Sequence, residues 1–351
     1  MFRIKFVKRL ENPSRNIMRK LVTIQKIMSL DPIPGADNIQ VASVLGWKCV
    51  VRRDEFKVGD ICAYFEIDSL LPVEPWTDFL RKGDPRPFRL RSITLRKQLS
   101  QGLALPFDKL PVLPAETKFE EGEDITDVLG VTKWEAQIPA ELAGVCKGNF
   151  PSFIPKTDEP RLQSFPGLIR EIQGKLMRGT IKIDGSSMTI FRDDDRFGVC
   201  SRNMELVESD TNAYWRMAKE LNLQRFTGNW AVQGEMCGPG IQGNRIGLTK
   251  PTFYAFSLYD IEEGRFLNHD RLSEFCAATG LNIVPTVFDG IIDPNWGVED
   301  FLNFANQQVY QNGLPAEGVV WRPYEETYSE VLNGRLSFKT ISNRFLSAYK
   351  E

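Results

Sequence analysis

The stretch Lys182-Ile183-Asp184-Gly185 places an amine and a carboxylate two positions apart. Residues two apart on a β-strand project from the same face, so both side chains would lie on one side of the strand predicted over Gly179–Ile183. The following glycine leaves the backbone free to turn and lets a ligand approach closely. A lysine beside a carboxylate over a pocket is either an ion pair or a nucleophile next to a metal site. Taken alone, this short pattern favours the ion pair.

Five further short motifs follow along the chain, and they contain residue types that bind phosphate, metal or a nucleobase. They are Ser201-Arg202-Asn203, Gln233-Gly234-Glu235, Phe253-Tyr254-Ala255-Phe256, Glu317-Gly318-Val319-Val320 and Leu336-Ser337-Phe338-Lys339. In this order the motifs resemble those of the covalent nucleotidyltransferase superfamily. Its members are the ATP- and NAD-dependent polynucleotide ligases and the mRNA capping guanylyltransferases. Each motif alone arises often by chance, whereas the ordered set is specific.

The order of the predicted domains narrows the resemblance. DNA ligases and capping enzymes of this superfamily carry an OB domain after the last motif, but only 12 residues follow Lys339 here. A β-rich region instead precedes the motifs, and Ile154–Arg161 stands directly ahead of them. From residue 19 onward this arrangement resembles the Deinococcus–Naegleria type of ATP-dependent RNA ligase.

The resemblance implies that Lys182 attacks the α-phosphorus of ATP and carries AMP as a lysyl-AMP phosphoramidate. AMP would then pass to an RNA 5′-phosphate, from which a 3′-hydroxyl displaces it. Covalent catalysis of this kind splits one difficult displacement into easier ones. A free lysine, with a pKa of about 10.4, is almost fully protonated at pH 7. The site must therefore lower the pKa of Lys182 through desolvation and nearby positive charge.

The same resemblance assigns Asp184, Glu235 and Glu317 to a divalent metal ion that is held through its water molecules. Three carboxylates without a histidine suit a hard, oxygen-liganded ion such as Mg²⁺ or Mn²⁺. Glu235 is also assigned to the nucleotide site. Without the resemblance, each of these acids would be interpreted as a surface carboxylate or a salt-bridge partner.

Five more residues are assigned to the nucleotide by the resemblance. Arg202 would contact the AMP, Arg161 would hold the ATP polyphosphate, and Lys339 would neutralise the α-phosphate as charge develops. Phe256 would stack on the adenine, and Val320 would pack against its opposite face. Taken alone, the three cations would be surface residues and the two apolar side chains ordinary core.

Two positions depart from the family pattern. Many relatives carry lysine at both ends of a Lys-x-Lys in the last motif, whereas the first place here is Ser337. The aromatic motif is usually followed by aspartate, but Ser257 follows it here. Ser337 leaves one cation fewer near the phosphate, so Lys339 and Arg161 would have to neutralise more of its charge.

Composition excludes several classes of protein. The single histidine, His269, cannot build a His-rich zinc site. The net charge of −2 argues against a histone-like polybasic binder. The six cysteines contain no Cys-x-x-Cys, which is typical of a reducing compartment, and no apolar run approaches a membrane span, so we expect a cytoplasmic protein. The basic N-terminus lacks the apolar core of a signal peptide.

Gly238–Gly243 matches Gly-x-Gly-x-x-Gly, but its proline and its context exclude a Rossmann site.

Patterns along the chain predict an α+β protein. We expect an N-terminal extension over 1–17, an OB-fold β-barrel that binds nucleic acid over 18–112, a linker over 113–149, and a nucleotidyltransferase (adenylyltransferase) domain with antiparallel sheets and flanking helices over 150–351. The predicted helices are a short one around Ile125–Leu129 and longer ones over Thr211–Asn222, Asp270–Ala277 and Val298–Gln311.

The stretch Arg81–Lys97 holds seven basic residues against one acid and is the predicted nucleic-acid contact of the barrel. It could also be a charged edge strand. The sequence thus predicts an ATP-dependent RNA ligase that seals 3′-OH and 5′-phosphate ends, at nicks in duplexes with an RNA 3′-OH strand, in repair. A DNA ligase, a GTP-using capping enzyme and a catalytically silent nucleic-acid-binding protein of the same fold remain the alternatives.

Overall fold

The computed structural model describes residues 20–110, 119–134 and 144–349. The predicted N-terminal extension 1–17 lies outside these residues. Short strands separated by turns make up the first part of the chain. They are β1 (Val22–Lys26), β2 (Ser29–Pro32), β3 (Ile39–Val44), β4 (Trp47–Arg52), β5 (Ile61–Phe65), β6 (Ser69–Leu71), β7 (Phe88–Arg89), β8 (Ile93–Leu95), β9 (Gln98–Ser100), β10 (Leu103–Leu105) and β11 (Thr132–Lys133), with helix α1 (Asp78–Arg81) between β6 and β7.

These strands form small antiparallel sheets with the orders β1-β5-β10, β2-β3-β4 and β11-β6-β7, and the hairpin β8-β9. Side chains of β4 alternate between buried and partly exposed, as expected for a strand with one face on a core. Two buried clusters result, one around Ile24 and Phe65 and the other around Trp47 and Tyr64. The first part of the chain is therefore a small β-barrel built on two sides of β5.

Residues 119–134 of the predicted linker are packed against the barrel. Val131 lies in the core around Phe65, and the hydroxyl of Thr126 accepts hydrogen bonds from the amides at positions 21 and 22. The short helix predicted around Ile125–Leu129 is wrong, because these residues form turns. Their buried apolar side chains pack on the barrel without a helical repeat.

The second part of the chain combines strands with flanking helices. Its elements are β12 (Cys146–Asn149), α2 (Leu168–Ile172), β13 (Leu176–Lys182), β14 (Ser186–Asp193), β15 (Arg196–Cys200), β16 (Met204–Leu206), α3 (Ala213–Leu221), β17 (Trp230–Cys237), β18 (Thr252–Asp260), β19 (Arg265–Leu267), α4 (His269–Thr279), β20 (Asn282–Ile283), β21 (Thr286–Ile291), α5 (Val298–Gln307), β22 (Gly318–Pro323), β23 (Tyr328–Ser329), β24 (Gly334–Arg335), β25 (Phe338–Ile341) and α6 (Asn343–Tyr349).

Two sheets carry the motifs. The larger has the order β12-β16-β15-β14-β17-β18-β19, with β20 added parallel to β18, and the smaller has the order β21-β13-β22-β25. The remaining strand pairs of these two sheets are antiparallel, in line with the predicted α+β class. Strand β13 ends in the small sheet at Lys182, and β14 begins in the large sheet at Ser186. The motif Lys182–Gly185 is therefore the crossing between the two sheets.

The helices begin and end where their capping residues dictate. The side chain of Asn212 accepts hydrogen bonds from the amides of Tyr214 and Trp215 and starts α3. Helix α5 ends four residues before the predicted Gln311, because Gln308 is extended. No helix in the described ranges is long and apolar enough to cross a membrane.

Helix α6 connects the two parts of the chain. Leu99 of β9 packs with Ile341, Phe345 and Leu346 at the C-terminal end of the second part. A second contact is the hydrogen bond that the hydroxyl of Ser164 donates to Glu66, at 2.8 Å. The β8–β9 hairpin is thereby fixed beside the strand that carries the last motif.

Candidate active site

Lys182 and Glu317 meet where β13 and β22, the two central strands of the small sheet, adjoin the crossing. The backbone of Lys182 pairs with Gly318 in β22, which places Glu317 beside the end of β13. The Lys182 Nζ donates to Glu317 Oε2 at 2.5 Å, and both side chains are largely buried. The ion-pair and nucleophile interpretations of Lys182 are thus compatible, because the ion pair holds the amine inside the cleft.

The hydroxyl of Tyr310 connects three of the motif segments. It accepts hydrogen bonds from the amide of Asp184 at 3.0 Å and from the amide of Glu317 at 3.2 Å. It donates to the carbonyl oxygen of Lys182 at 3.3 Å. Burial raises the pKa of Tyr310, so the hydroxyl keeps its proton and remains both donor and acceptor. One buried side chain therefore fixes the relative positions of the three segments.

The carboxylate of Asp184 forms an ion pair with Arg245. The guanidinium of Arg245 also lies over the rings of Phe345 and Tyr349 of α6, at 5.4 Å and 4.5 Å from their centroids. Asp184 does not project freely into solvent, and the aromatic face of α6 helps to place its partner.

Gly185 shows why the residue after Asp184 has no side chain. A Cβ there would lie 2.5 Å from the carbonyl oxygen of Met236 and 2.9 Å from the side chain of Glu235. The close approach expected at Gly185 is therefore made by strand β17 of the same chain, and it brings Glu235 next to the crossing. The contact joins the Gly-Glu motif of β17 to the lysine motif.

Glu235 lies in a concentration of negative charge. Burial is the main cause that raises its pKa to about 7, and the charges of Glu317 and Asp184 raise it further while Lys182 lowers it. The described residues contain no group of three His, Cys, Asp or Glu placed to bind an ion directly. Three carboxylates that act on one another electrostatically, without forming a direct ion site, suit a hydrated Mg²⁺ or Mn²⁺, so the donor set fits an ion held through water.

Arg161 and Lys339 lie side by side, since their backbones form a parallel bridge. The Lys339 Nζ lies 3.9 Å from a carboxylate oxygen of Asp158, and the Arg202 guanidinium donates to the same oxygen at 2.9 Å. Burial lowers the pKa of Lys339 to about 8, and the neighbouring charges of Lys182 and Arg161 lower it further. Lys339 and Arg202 thus lie at the half-exposed carboxylate of Asp158, and Arg161 lies beside Lys339.

The two apolar residues assigned to adenine are partly buried. Phe256 packs against the cluster that contains Ile181 and Tyr310, whereas Phe253 of the same motif is buried in the core of the large sheet. Val320 pairs with Lys339 in β25. Phe256 therefore lies on the large sheet and Val320 on the small one.

Sequence reasoning missed Tyr310 and Arg245. Both lie outside the motifs, in loops that follow α5 and β17. The hydrogen bonds of Tyr310 join residues up to 128 positions apart, so no local spacing could indicate them. The one available signal for Arg245 was its cationic side chain in a Gly-rich loop after the Gly-Glu motif.

Comparisons with known proteins agree with this geometry. A family model described as an OB-fold domain matches residues 21–107, and a model described as RNA ligase matches residues 177–341. A comparison with curated protein sequences finds no match. The first model covers the β-barrel, and the second covers the two sheets with all the motifs from Lys182 to Lys339.

Solved structures of the Naegleria gruberi RNA ligase are similar to nearly the whole chain. A mutant with AMP and Mn has 38% identity and a TM-score of 0.77, covering 95% of this chain and 99% of that one. A mutant with ATP and Mn has 38% identity and a TM-score of 0.77 over 94% of this chain and 99% of the other. The same enzyme with pyrophosphate has 38% identity and a TM-score of 0.76 over 95% and 99%. The likeness extends through both parts of the fold, which confirms an OB-fold domain followed by a nucleotidyltransferase domain.

Proposed function

This chain belongs to the RNA ligase family, and from that premise we propose that it seals RNA 3′-OH and 5′-phosphate ends with ATP through a lysyl-AMP intermediate on Lys182. The observation that carries the proposal is the buried pair of Lys182 and Glu317 at the crossing of the two sheets, 2.5 Å apart. Solved structures of the Naegleria gruberi enzyme include substitutions of a lysine and an aspartate two positions apart, the spacing of Lys182 and Asp184.

In the first step the Nζ of Lys182 forms a bond to the α-phosphorus of ATP. The bond from that phosphorus to the bridging oxygen breaks, and pyrophosphate leaves with the electron pair. The ammonium of Lys182 gives up one proton before the attack, and Glu317 is the neighbouring carboxylate that would receive it. The nitrogen releases its second proton to solvent as the phosphoramidate forms. Arg161 and Lys339 hold the polyphosphate in line and offset charge as it develops.

A divalent ion would be held through water by Asp184, Glu235 and Glu317. When bound, it supplies positive charge beside the amine and the α-phosphate. Arg245 keeps the carboxylate of Asp184 oriented, and the hydroxyl of Tyr310 keeps the three backbone segments together. These residues prepare the cleft for a nucleotide before it arrives.

In the later steps AMP passes to a nucleic-acid 5′-phosphate, and a 3′-hydroxyl displaces it to form the phosphodiester. We assign the substrate to nicks in duplexes with an RNA 3′-OH strand, bound in part by the barrel. We also assign the protein to the cytoplasm, and all six cysteines are free thiols in agreement with a reducing compartment.

Intact mass spectrometry after incubation with ATP and Mg²⁺ tests the first step. The native protein should gain one adenylate, and Lys182→Ala should gain none. Lys182→Arg is the matched control, because it keeps a cation beside Glu317 but cannot form the adduct. A native protein that never gains an adenylate would contradict the proposal and favour a silent nucleic-acid-binding protein.

Assays with different nucleotides and nicked duplexes distinguish the proposed RNA ligase from a capping enzyme and from a DNA ligase. Labelled ATP and GTP distinguish a ligase from a capping enzyme, because only the former should give an AMP adduct. Nicked duplexes with an RNA or a DNA 3′-OH strand then distinguish an RNA ligase from a DNA ligase. Efficient sealing of the all-DNA nick would overturn the RNA assignment while leaving lysyl-AMP chemistry in place.

A further inference from the structure

The basic stretch Arg81–Lys97 is not a uniform charged surface. Its guanidinium groups at positions 81, 86 and 89 form ion pairs with Asp78, Asp84 and Asp68. Arg89 also lies over the ring of Trp134, 3.4 Å from its centroid. These three arginines are engaged within the barrel, so the nucleic-acid contact predicted from the sequence must come from other residues of the stretch.

Arg96 and Lys97 form the tip of the β8–β9 hairpin. Both are exposed, and no carboxylate of the described ranges forms an ion pair with either. All three residues of β8 are exposed, including Ile93 at 51% and Leu95 at 39%. Side chains of a strand point alternately to its two faces, so exposure of the whole strand means that the hairpin projects from the barrel.

The tip also has a backbone that its residues disfavour. Leu95 pairs with Gln98, so Arg96 and Lys97 are the two residues of the turn, and their φ angles are +50° and +65°. Two-residue turns with positive φ at both positions strongly prefer Asn-Gly. Two long cations in this conformation are strained, and such strain is typical of functional positions.

The base of the hairpin is fixed beside the catalytic cleft. Leu99 of β9 packs against Ile341, two positions after Lys339, and against Phe345. Phe345 lies under Arg245, the partner of Asp184. A projecting, positively charged ribbon next to this site is complementary to a polyanion whose reacting ends must enter the cleft.

We propose that the β8–β9 hairpin binds the phosphodiester backbone of the nucleic acid beside the catalytic cleft, with Arg96 and Lys97 as its phosphate contacts. This rests on the proposed function, because it takes the polyanion to be the ligase substrate. The cations of the turn then have a role that an Asn-Gly turn could not fill.

The test is the double substitution Arg96→Asn with Lys97→Gly, which removes both charges and relieves the strain. Binding of a nicked duplex with an RNA 3′-OH strand is measured by fluorescence anisotropy over a range of salt concentrations. The logarithm of the association constant falls linearly with the logarithm of the salt concentration, and two lost phosphate contacts should make this slope shallower by about 1.4 to 1.8. That slope change corresponds to binding roughly 25- to 60-fold weaker at 0.1 M salt. The unfolding midpoint should rise, and the rate of adenylate gain should not change.

Two controls make the result specific. Arg96→Lys with Lys97→Arg keeps both charges and should keep the native slope. Arg52→Asn with Arg53→Asn removes two exposed cations at the C-terminal end of β4, outside the hairpin, and it should also keep the native slope.

The proposal would be overturned if Arg96→Asn with Lys97→Gly kept the native slope. It would also be overturned if Arg96→Lys with Lys97→Arg lost as much of the slope and affinity as the Asn-Gly variant. Failure of the proposed function is a separate result, since it appears as the absence of an adenylate on the native protein.

Discussion

Removal of the Tyr310 hydroxyl is the most direct perturbation of how the site is held together. Tyr310→Phe keeps the ring in its cluster but deletes the oxygen that contacts Lys182, Asp184 and Glu317. Two backbone amides lose their acceptor, and one carbonyl loses a donor. The ring itself fits the same space, so any effect reports on the hydrogen bonds.

The size of the effect follows from the burial of these groups. A buried polar group left without a partner costs about 1–3 kcal/mol, so we expect a loss of this order in the free energy of unfolding. The three segments also become free to move separately. A loss of about 1.4 to 2.8 kcal/mol in transition-state stabilisation is a 10- to 100-fold slower adenylation, at 1.36 kcal/mol for each factor of ten.

Single-turnover adenylation measured by intact mass is the assay, with urea unfolding in parallel. Tyr254→Phe is the matched control, because Tyr254 packs in the same cluster and its hydroxyl forms no hydrogen bond within the described ranges. The control should adenylate at the native rate. If Tyr310→Phe were destabilised but adenylated as fast as the native protein, Tyr310 would not position the site.

Three further outcomes follow from the charges of the site. Because burial raises the pKa of Glu235 from 4.5 to about 7, the stability that its protonated form contributes is complete below pH 4.5 and is lost as the pH rises through 7. In metal-free urea titrations from pH 5 to 8, the free energy of unfolding of the native protein should fall by on the order of 3 kcal/mol relative to that of Glu235→Gln. The same pH dependence in both proteins would contradict this. Burial lowers the pKa of Lys339 to about 8, so the adenylation rate of Lys339→Arg relative to native should rise above pH 8, and a ratio independent of pH would contradict it. Asp158→Asn should tighten ATP binding up to about fivefold, measured by calorimetry on a Lys182→Ala background. The reason is that an ion pair between Arg202 and a half-exposed carboxylate is worth about 1 kcal/mol at most, and ATP must compete with it. An unchanged affinity would show that Asp158 does not compete with ATP.

The strand that carries Lys182 was predictable, but the expectation that Asp184 projects from its same face was wrong, because β13 ends at Lys182 and Asp184 lies in the crossing. The sequence predicted a strand over Gly179–Ile183, and the structure has one over Leu176–Lys182. The ordered motifs also assigned Glu317 to the site, as one of three acids for a metal ion, and the structure brings it into contact with Lys182. These predictions depend on residue type and order, which the sequence contains.

The ends of elements and the partners of cations were not predictable in the same way. The apolar pattern extended α5 to Gln311, but the carbonyl of Gln308 accepts a hydrogen bond from the amide of Ala316. This bond joins residues eight positions apart, and Tyr310 lies in the loop that it closes. Likewise, the sequence could not show that Arg89 is engaged by Asp68. Neither contact belongs to the repeat of a helix or a strand, so the local pattern does not contain it.

The two serines at unusual motif positions are explained together by two arginines. Ser337 accepts a hydrogen bond from Arg322 at 3.0 Å, and Ser257 accepts one from Arg335 at 3.2 Å. Arg322 also donates to the carbonyl of Phe256 at 2.9 Å, so it links the small sheet to the aromatic motif of the large one.

Each arginine has a carboxylate of its own. Arg322 pairs with Glu159, and Arg335 pairs with Glu326. A lysine at position 337 would set a second cation against Arg322 in a largely buried place, where like charges are costly. An aspartate at position 257 would add a carboxylate beside Arg335, which already has one. The serines are therefore neutral residues that suit this pair of arginines, each of which is already paired with a carboxylate.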